Sequence, residues 1–545
     1  MRLAHPLNKG RFLAIGIAVS FFSACMKDSV DQLTSLKGAS WTGTYALPLI
    51  NAALAPEDAL KFTDEFSSIG SYPDGQMYVT YEKNSVSIKG QDYYKPTSIN
   101  NSFTYRLNAG EQQLLEGGSV VMERDQIIDW NQSGAYIDSI QFKSGKLRVE
   151  VENSIQHHLS ITILILGTKP EGLLSKTAEI PWKGPGTKGG LEINLAGLLA
   201  DLTRGPKGNN QFRVRIRAVF NNTNGGAING NDPLNLNIIA NDFTWTRAHG
   251  LFGAKNILSK TDDLRLGLLS SDFLSRGTKF RDARLKLKWQ NTYALPLQLN
   301  VNSLGFIFGD GSRQLISGFA PSYQVPGANL NNQTLLAHTD SIYLNAGNSN
   351  ISNLVDAQPH YLFWNEAILV KSGSGSLKQS VWAESMCTFS VSLELPLYVA
   401  SDEIILTGAT DIKDAWKQEL SKAEWMNLRF QIKNQIPLSL QLQAYLLDAQ
   451  NNILDSLIKP IQELFPSAYT DSLGNTVQDK EQLLDVRLDQ TELNRFLQAK
   501  SIHFKAITNT GNYLGKPLGL SKIMKGQQLF LKLGIQSSIN LQRKF

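Results

Sequence analysis

The chain of 545 residues is poor in the side chains on which metal and nucleophilic sites depend, with two cysteines and seven histidines. No His-Glu-x-x-His sequence and no cluster of Cys and His with metal-ligand spacing occurs, so we expect no metal. A Gly-x-Ser-x-Gly elbow and a Gly-x-x-x-x-Gly-Lys-Ser/Thr loop are absent as well. We therefore predict that the protein is not an enzyme and needs no cofactor.

Charge is also scarce, since Asp, Glu, Lys and Arg make up 19% of the chain and the formal net charge is +5. So small an excess gives no basis for binding nucleic acid. Gly184-Pro-Gly186-Thr-Lys-Gly189 has the spacing of a dinucleotide loop, but it leads into a strand-like sequence rather than a helix. Without a helix N-terminus such a loop has nothing to hold a pyrophosphate, and we interpret it as a plain loop.

A long apolar run is missing too. The longest near the start, residues 12–22, is shorter than the roughly 20 residues that a membrane-spanning helix needs. Three bases precede it, and Phe22-Ser-Ala-Cys25 follows it in the manner of a bacterial lipobox. We predict a lipoprotein signal peptide at residues 1–24, lipidation of Cys25, and a polar tether at residues 25–40. The acyl chains would hold the protein at the outer membrane, on the periplasmic or the cell-surface face.

Alternating apolar and polar residues are abundant, and one such pattern occurs three times. It reads Leu147-Arg-Val-Glu-Val-Glu-Asn153, Leu285-Lys-Leu-Lys-Trp-Gln-Asn291 and Leu428-Arg-Phe-Gln-Ile-Lys-Asn434, each followed by a second apolar run. This predicts pairs of half-buried strands that meet at a corner. Asparagine suits such a corner because its side chain can bond the local backbone and because it tolerates left-handed conformations.

The copies recur roughly every 140 residues, an interval typical of domains rather than of solenoid repeats. We predict an N-terminal β-rich unit at 41–135 and β repeats at 136–277, 278–417 and 418–545. Each must bury one face of its sheets, so we expect a mainly β chain of tandem β-sandwich-like modules with short helical connections. Residues 191–202 predict a strand running into a short helix, and Asp489 with Glu492 has capping-box spacing. A tubular, lipid-binding arrangement of the same elements is the alternative.

The opening Trp41 with Ala46-Leu-Pro-Leu-Ile-Asn51, the lipobox upstream and the repeated strands resemble a group of large, mostly uncharacterised lipoproteins of the Bacteroidota. The resemblance covers most of the chain. It implies an envelope lipoprotein and brings no known activity with it.

Two features are candidates for binding. Arg213, Arg215 and Arg217 alternate with apolar residues and so share one face of a strand, where they could meet an acidic glycan or lipid headgroups. Trp364 and Trp382 could stack on sugar rings. The alternatives are a solvated sheet face for the arginines and core positions for the tryptophans.

We therefore predict a binding or scaffold protein at the outer membrane, with a carrier of lipids or apolar ligands and a surface glycan-binding protein as alternatives. Its partners would be the membrane through the lipid anchor and an envelope protein, lipid or glycan.

Overall fold

The structure is a computed structural model that describes residues 41–57, 67–130, 134–169, 175–222, 226–270, 278–331, 334–370, 378–401, 404–412, 417, 421, 423–456, 462–510, 512–513, 516–517 and 519–541. The predicted signal peptide, the tether and Cys25 lie outside these residues. Strands dominate the described residues, and the helices among them are few and short. The mainly β fold of sandwich-like modules with short helical connections is thus confirmed.

The strands are numbered in chain order. The N-terminal part contains β1 (Trp41–Leu54), β2 (Ser67–Ser71), β3 (Met77–Val86), β4 (Ile99–Tyr105) and β5 (Ser119–Asp129). The next part contains β6 (Tyr136–Asn153), β7 (His158–Leu166), β8 (Thr168–Lys169), β9 (Ser175–Ile180), β10 (Thr187–Asn194), β11 (Leu199–Asp201), β12 (Gln211–Asn221), β13 (Leu234–Leu251), β14 (Lys255–Arg265) and β15 (Lys279–Phe280).

The middle part contains β16 (Arg284–Asn291), β17 (Leu297–Ile307), β18 (Arg313–Leu315), β19 (Ser322–Val325), β20 (Asn329–Asn331), β21 (Thr334–Leu336), β22 (His338–Leu344), β23 (Tyr361–Val370), β24 (Gln379–Trp382), β25 (Cys387–Pro396) and β26 (Tyr398–Ala400). The last part contains β27 (Ile404–Asp411), β28 (Ala423–Asn434), β29 (Leu438–Leu447), β30 (Ile453–Ser456), β31 (Gln462–Phe465), β32 (Tyr469–Thr470), β33 (Thr476–Gln478), β34 (Lys480–Leu488), β35 (Ser501–Thr510), β36 (Asn512–Tyr513), β37 (Lys516–Pro517), β38 (Ser521–Lys522) and β39 (Leu529–Leu541). The helices are α1 (Gly90–Tyr93), α2 (Ala109–Glu116), α3 (Ile351–Asp356) and α4 (Gln490–Gln498).

Eight strands between residues 99 and 251 build the first module. One sheet has the order β4-β13-β6-β10 and the other the order β5-β12-β7-β9. All of these pairs are antiparallel. With the eight strands counted along the chain, the first, eighth, third and sixth form one sheet, and the second, seventh, fourth and fifth form the other. This is the connectivity of a jelly roll.

The same connectivity occurs twice more. In the second jelly roll β3-β25-β16-β22 faces β14-β23-β17-β19, and in the third β1-β39-β28-β34 faces β27-β35-β29-β31. Alternate side chains of the facing strands fill the interior: Val149 of β6 and Ile163 of β7 are each 0% exposed. The threefold sequence pattern thus corresponds to three domains with one strand plan.

The N-terminal segment serves all three jelly rolls. Residues 41–135, for which the sequence predicts a β-rich unit of its own, supply β1 to the third jelly roll, β3 to the second, and β4 and β5 to the first. Trp41 lies opposite Leu541 and Leu54 opposite Leu529, so the first and last strands run side by side. A strand is stabilised by main-chain hydrogen bonds to neighbouring strands, and the strands that pair with β1, β3, β4 and β5 mostly lie far along the chain.

The predicted corners carry the chain from one sheet of each jelly roll to the other. Asn291, the last residue of β16, is 0% exposed. Its Oδ1 accepts a hydrogen bond from the Tyr293 amide at 2.9 Å. Its Nδ2 donates to the carbonyl oxygens of Leu295 at 3.1 Å and Pro326 at 2.9 Å. The side chain thereby joins the turn to the start of the next sheet.

The other two corners repeat these contacts, and both asparagines are buried. Asn434 accepts from the Ile436 amide at 2.8 Å and donates to the Leu438 and Pro466 carbonyls at 2.8 and 2.9 Å. Asn153 accepts from the Ile155 amide at 3.0 Å and donates to the His157 carbonyl at 3.1 Å. None of the three has a positive φ, so asparagine acts here through its side-chain amide and not through a left-handed backbone.

Shared sheets join the jelly rolls. β24, from the second repeat, pairs with β13 of the first jelly roll, and β15, β26 and β38 form a small sheet. Rings pack where α1 meets β13: the Tyr93 and Tyr94 rings lie 5.9 and 5.6 Å from Phe252, and Tyr93 lies 6.2 Å from Tyr293. The buried side chains of the first two jelly rolls form one continuous hydrophobic cluster.

One helix prediction is confirmed and one is wrong. Asp489 and Glu492 form the capping box of α4, in which each side chain accepts from the backbone of the other. Residues 191–202 form no helix, because β10 ends in a turn and continues into β11. Gly197 has φ +78° in that turn, a conformation that ends regular helical structure.

Candidate functional site

The arginine stripe predicted from the sequence lies on the outer face of β12, while Val214 and Ile216 point into the core. Arg215 Nε lies 2.8 Å from Asp125 Oδ1 and 3.3 Å from Glu123 Oε1, both on the neighbouring strand β5. The hydrogen bond from Arg215 holds the pKa of Asp125 below its usual range. Acidic neighbours thus already balance part of the stripe, and its role in binding stays a prediction.

The two candidate tryptophans have different surroundings. Trp364, on β23, is 0% exposed and belongs to the core of the second jelly roll. It presents no ring face to a ligand in solution, because apolar side chains surround it. Trp382, on β24, is half-buried, and the Arg247 guanidinium lies 5.7 Å from its ring centroid. The structure does not bring these tryptophans and the arginine stripe into one site.

A cleft of about 490 Å³ lies at one edge of the first jelly roll, between β9 and β10. β9 ends its sheet and pairs with β7, whereas β10 ends the facing sheet and pairs with β6. Each strand therefore has an outer edge whose main-chain groups have no strand partner within the described residues. Two such edges flank one opening.

Small side chains make the cleft. A Cβ on Gly189 would lie 2.8 Å from Ile180 Cδ1, so this glycine lets the two edges approach each other at one end. Ala178 on β9 and Gly190 on β10 line the space beyond it, and Leu191 contributes apolar surface. Larger residues at these places would close the cleft.

Charged side chains also line the cleft. Glu192 is held by Lys146 at 2.9 Å and Arg148 at 3.0 Å, and the hydrogen bonds from these two bases lower its pKa. Lys176 on β9 and Glu150 on β6 also line the cleft, and neither has an ion pair within the described part of the chain. Glu150 accepts a hydrogen bond of 3.5 Å from Asn237 Nδ2, so a ligand would meet the Lys176 ammonium and a carboxylate that is hydrogen-bonded but not ion-paired within these residues.

The lining of the cleft offers main-chain groups at two sheet edges, small side chains and separate charges. Such a surface suits an extended, partly charged chain, which can pair with a strand edge along its length.

Sequence reasoning missed this cleft. The sequence predicts a plain loop at residues 184–189, but the last three of these residues belong to β10, which begins at Thr187. The sequence feature that could have indicated the cleft is the pair Gly189-Gly190 inside an otherwise alternating strand. A glycine inside a strand often marks a place where a ligand or another backbone segment comes close.

Other reactive groups are placed in the core or spread apart. Cys387 is 1% exposed, and burial raises the pKa of its thiol to about 12, so it is no ready nucleophile. Among the described residues no three His, Cys, Asp or Glu side chains group as metal ligands. No helix in the described part of the chain is both long and apolar enough to cross a membrane.

Comparisons with known proteins place the chain in no family, since no family model and no curated protein matches it. Among solved structures, a protein of Parabacteroides distasonis described as secreted is similar over 55% of this chain and 90% of its own, with 14% identity and a TM-score of 0.28. The VP2 subviral particle of infectious bursal disease virus matches over 84% and 82%, with 7% identity and a TM-score of 0.14.

A third structure, a peptide-N(4)-(N-acetyl-beta-D-glucosaminyl) asparagine amidase, matches over 55% of this chain and 96% of its own, with 10% identity and a TM-score of 0.15. TM-scores this low carry no argument about function.

Proposed function

We propose that the chain is a non-enzymatic scaffold protein of the cell envelope, anchored in the outer membrane by lipid on Cys25, that binds an extended segment of a protein partner. The observation that carries this proposal is the cleft between β9 and β10, where two edge strands of facing sheets lie beside one opening. The signal-peptide pattern and the lipobox support the location.

An edge strand is a ready template for another strand, because its outer N–H and C=O groups lack partners. A partner segment that adds to β9 or β10 would gain main-chain hydrogen bonds along its length. Its alternate side chains would lie against Ala178 and Gly190, the small residues that line the cleft. Lys176 and Glu150 would then select segments of complementary charge.

The framework around the cleft suits a scaffold. β6, which forms one wall, runs through the middle of its sheet between β13 and β10, and β13 in turn pairs with β24 from the second repeat. A bound segment would therefore be held on a continuous core that extends through two jelly rolls.

The test is affinity purification of the lipidated full-length protein from gently solubilised envelope, with mass spectrometry of the proteins and small molecules that accompany it. We expect one protein partner in stoichiometric amount. Lys176→Glu and Ala178→Arg, which reverse a charge and fill the cleft, should each lose this partner. Lys188→Glu is the matched control, since Lys188 is exposed on β10 and does not line the cleft.

A partner that both cleft variants retain would move binding away from the cleft. A co-purifying lipid without a protein would favour the carrier function over the scaffold. If neither protein nor small molecule accompanies the chain, the proposed function is refuted.

A further inference from the structure

The sheet β2-β3-β25-β16-β22 of the second jelly roll carries tyrosines and charges on its outer face, away from the cleft. Tyr343 of β22 lies opposite Lys286 of β16. The Lys286 ammonium is 5.1 Å from the centroid of the Tyr343 ring, and Tyr343 is 53% exposed. An exposed ring beside a cation is thus fixed at one end of this face.

Two further rings, those of Tyr72 and Tyr78, pack together toward the opposite edge of the sheet. The Tyr72 and Tyr78 ring centroids are 4.7 Å apart, and the Arg284 guanidinium lies 5.4 Å from the Tyr72 ring. Tyr72 Oη donates a hydrogen bond to Glu394 Oε1 at 2.5 Å, and Arg284 Nη1 lies 3.3 Å from the same oxygen. These contacts hold the rings and their polar neighbours in place before any ligand binds.

Small polar side chains lie between Tyr343 and the Tyr72–Tyr78 pair. Across the sheet Thr80 lies opposite Glu394, and Ser392 lies between Glu82 and Lys286. Tyr78 and Tyr343 are four residues and three strand spacings apart, which corresponds to roughly 20 Å. The face therefore offers the exposed Tyr343 ring at one end and the polar groups around Glu394 at the other, with room for several sugar residues between them.

The charges on this face leave an excess of positive groups. Arg284 is paired with Glu394, but Lys286 and Lys288, which alternate along β16, have no ion pair within the described residues. Glu82 is the acid that faces them across β25. A ligand with its own carboxylate or sulfate groups would complement these two ammonium groups, of which that of Lys286 is held against the Tyr343 ring.

We infer that this tyrosine face, formed by Tyr72, Tyr78, Arg284, Lys286, Tyr343 and Glu394, binds an acidic oligosaccharide. The Tyr343 ring covers the apolar C–H face of a sugar residue, the hydroxyls and Glu394 bind sugar hydroxyls, and the lysines bind the acidic groups. The site lies in another jelly roll from the cleft and does not depend on the function proposed for it.

The test is affinity electrophoresis of the purified full-length chain in gels that contain polygalacturonate or, for comparison, uncharged hydroxyethyl cellulose. We expect retardation by polygalacturonate and little by hydroxyethyl cellulose. Tyr343→Ala should weaken the affinity about five- to tenfold, the scale of one aromatic contact. Lys286→Glu should abolish the retardation, and Tyr343→Trp should preserve it.

Two controls come from the same chain. Tyr361→Ala removes a tyrosine that is 37% exposed on the other sheet of this jelly roll, and Lys188→Glu reverses a charge on the first jelly roll. Both should keep the parent affinity, and unchanged thermal unfolding shows that each variant is folded. Equal retardation by the two polysaccharides, loss of retardation in the controls, or no retardation of the parent chain would each overturn the inference.

Discussion

Replacing Asn291 by alanine removes three hydrogen bonds from the corner between the sheets of the second jelly roll. The Tyr293 amide and the carbonyls of Leu295 and Pro326 lose their partner at a position that is 0% exposed. Each bond contributes about 1 kcal/mol net. We therefore expect Asn291→Ala to lower the free energy of unfolding by about 3 kcal/mol, because water does not reach the corner to replace them.

The other two corners allow the losses of unfolding free energy to be compared within the same chain. Asn434 also makes three side-chain bonds, so Asn434→Ala should cost about 3 kcal/mol. Asn153 makes two, so Asn153→Ala should cost about 2 kcal/mol.

Asn291→Asp is the sharper variant. It keeps the acceptor for the Tyr293 amide but places a second carboxylate oxygen against two carbonyl oxygens, where Nδ2 donated before. We expect it to be less stable than Asn291→Ala at neutral pH, since a buried charge then faces only acceptors on that side. Protonation at low pH restores one donor and should recover part of the loss.

Scanning calorimetry of the full-length variants, with hydrogen exchange of residues 284–307 as a local probe, measures these changes. Local exchange is needed because a chain of three domains need not unfold in one step. An Asn291→Asp variant as stable as the parent chain, or an Asn153→Ala variant that loses more stability than both other alanine variants, would contradict this role of the asparagines.

Three further predictions follow from buried groups and from strand pairing. Glu366 is 0% exposed without a hydrogen-bond partner within the described residues, and burial raises its pKa. The stability that its protonated form provides is complete below its unfolded pKa of about 4.3 and is lost as pH rises through the raised folded pKa. Glu366→Gln should therefore narrow the difference in Tm between pH 5 and pH 8, and an unchanged difference would contradict this assignment. Deleting residues 41–54 removes β1 and should make the third jelly roll sensitive to protease; a synthetic peptide of this sequence should restore protection by pairing with β39, and equal protection without it would refute the pairing. Cys387 should react with a thiol reagent only after denaturation, and rapid labelling of the folded chain would show that its thiol is accessible.

Local pattern was sufficient for much of the fold. Alternation predicts strands because successive side chains on a strand point to opposite faces, as Arg213 to Arg217 do on β12. The capping box at Asp489 also forms within four residues. At the corners, the asparagine side chain binds groups two and four residues ahead, contacts that the sequence itself places within reach.

Other features depend on pairing across the chain. The helix expected in residues 191–202 gives way to a turn and β11, because β11 finds a partner in β6 and a neighbour in β8. The sequence does not show that Trp364 is more buried than Trp382. Only the packing of β23 between β14 and β17 buries it. The cleft likewise needs β9 and β10 to end two facing sheets.

The sequence by itself determined that the chain is mainly β, that it holds three related modules, and that each module turns a corner at an asparagine. Tertiary structure alone decided that the three modules are jelly rolls completed by strands from residues 41–105, taken in reverse order. The physical reason is that strand pairing uses backbone hydrogen bonds, which are alike in every residue, so a strand's own sequence shows which face is buried but not which distant strand lies beside it.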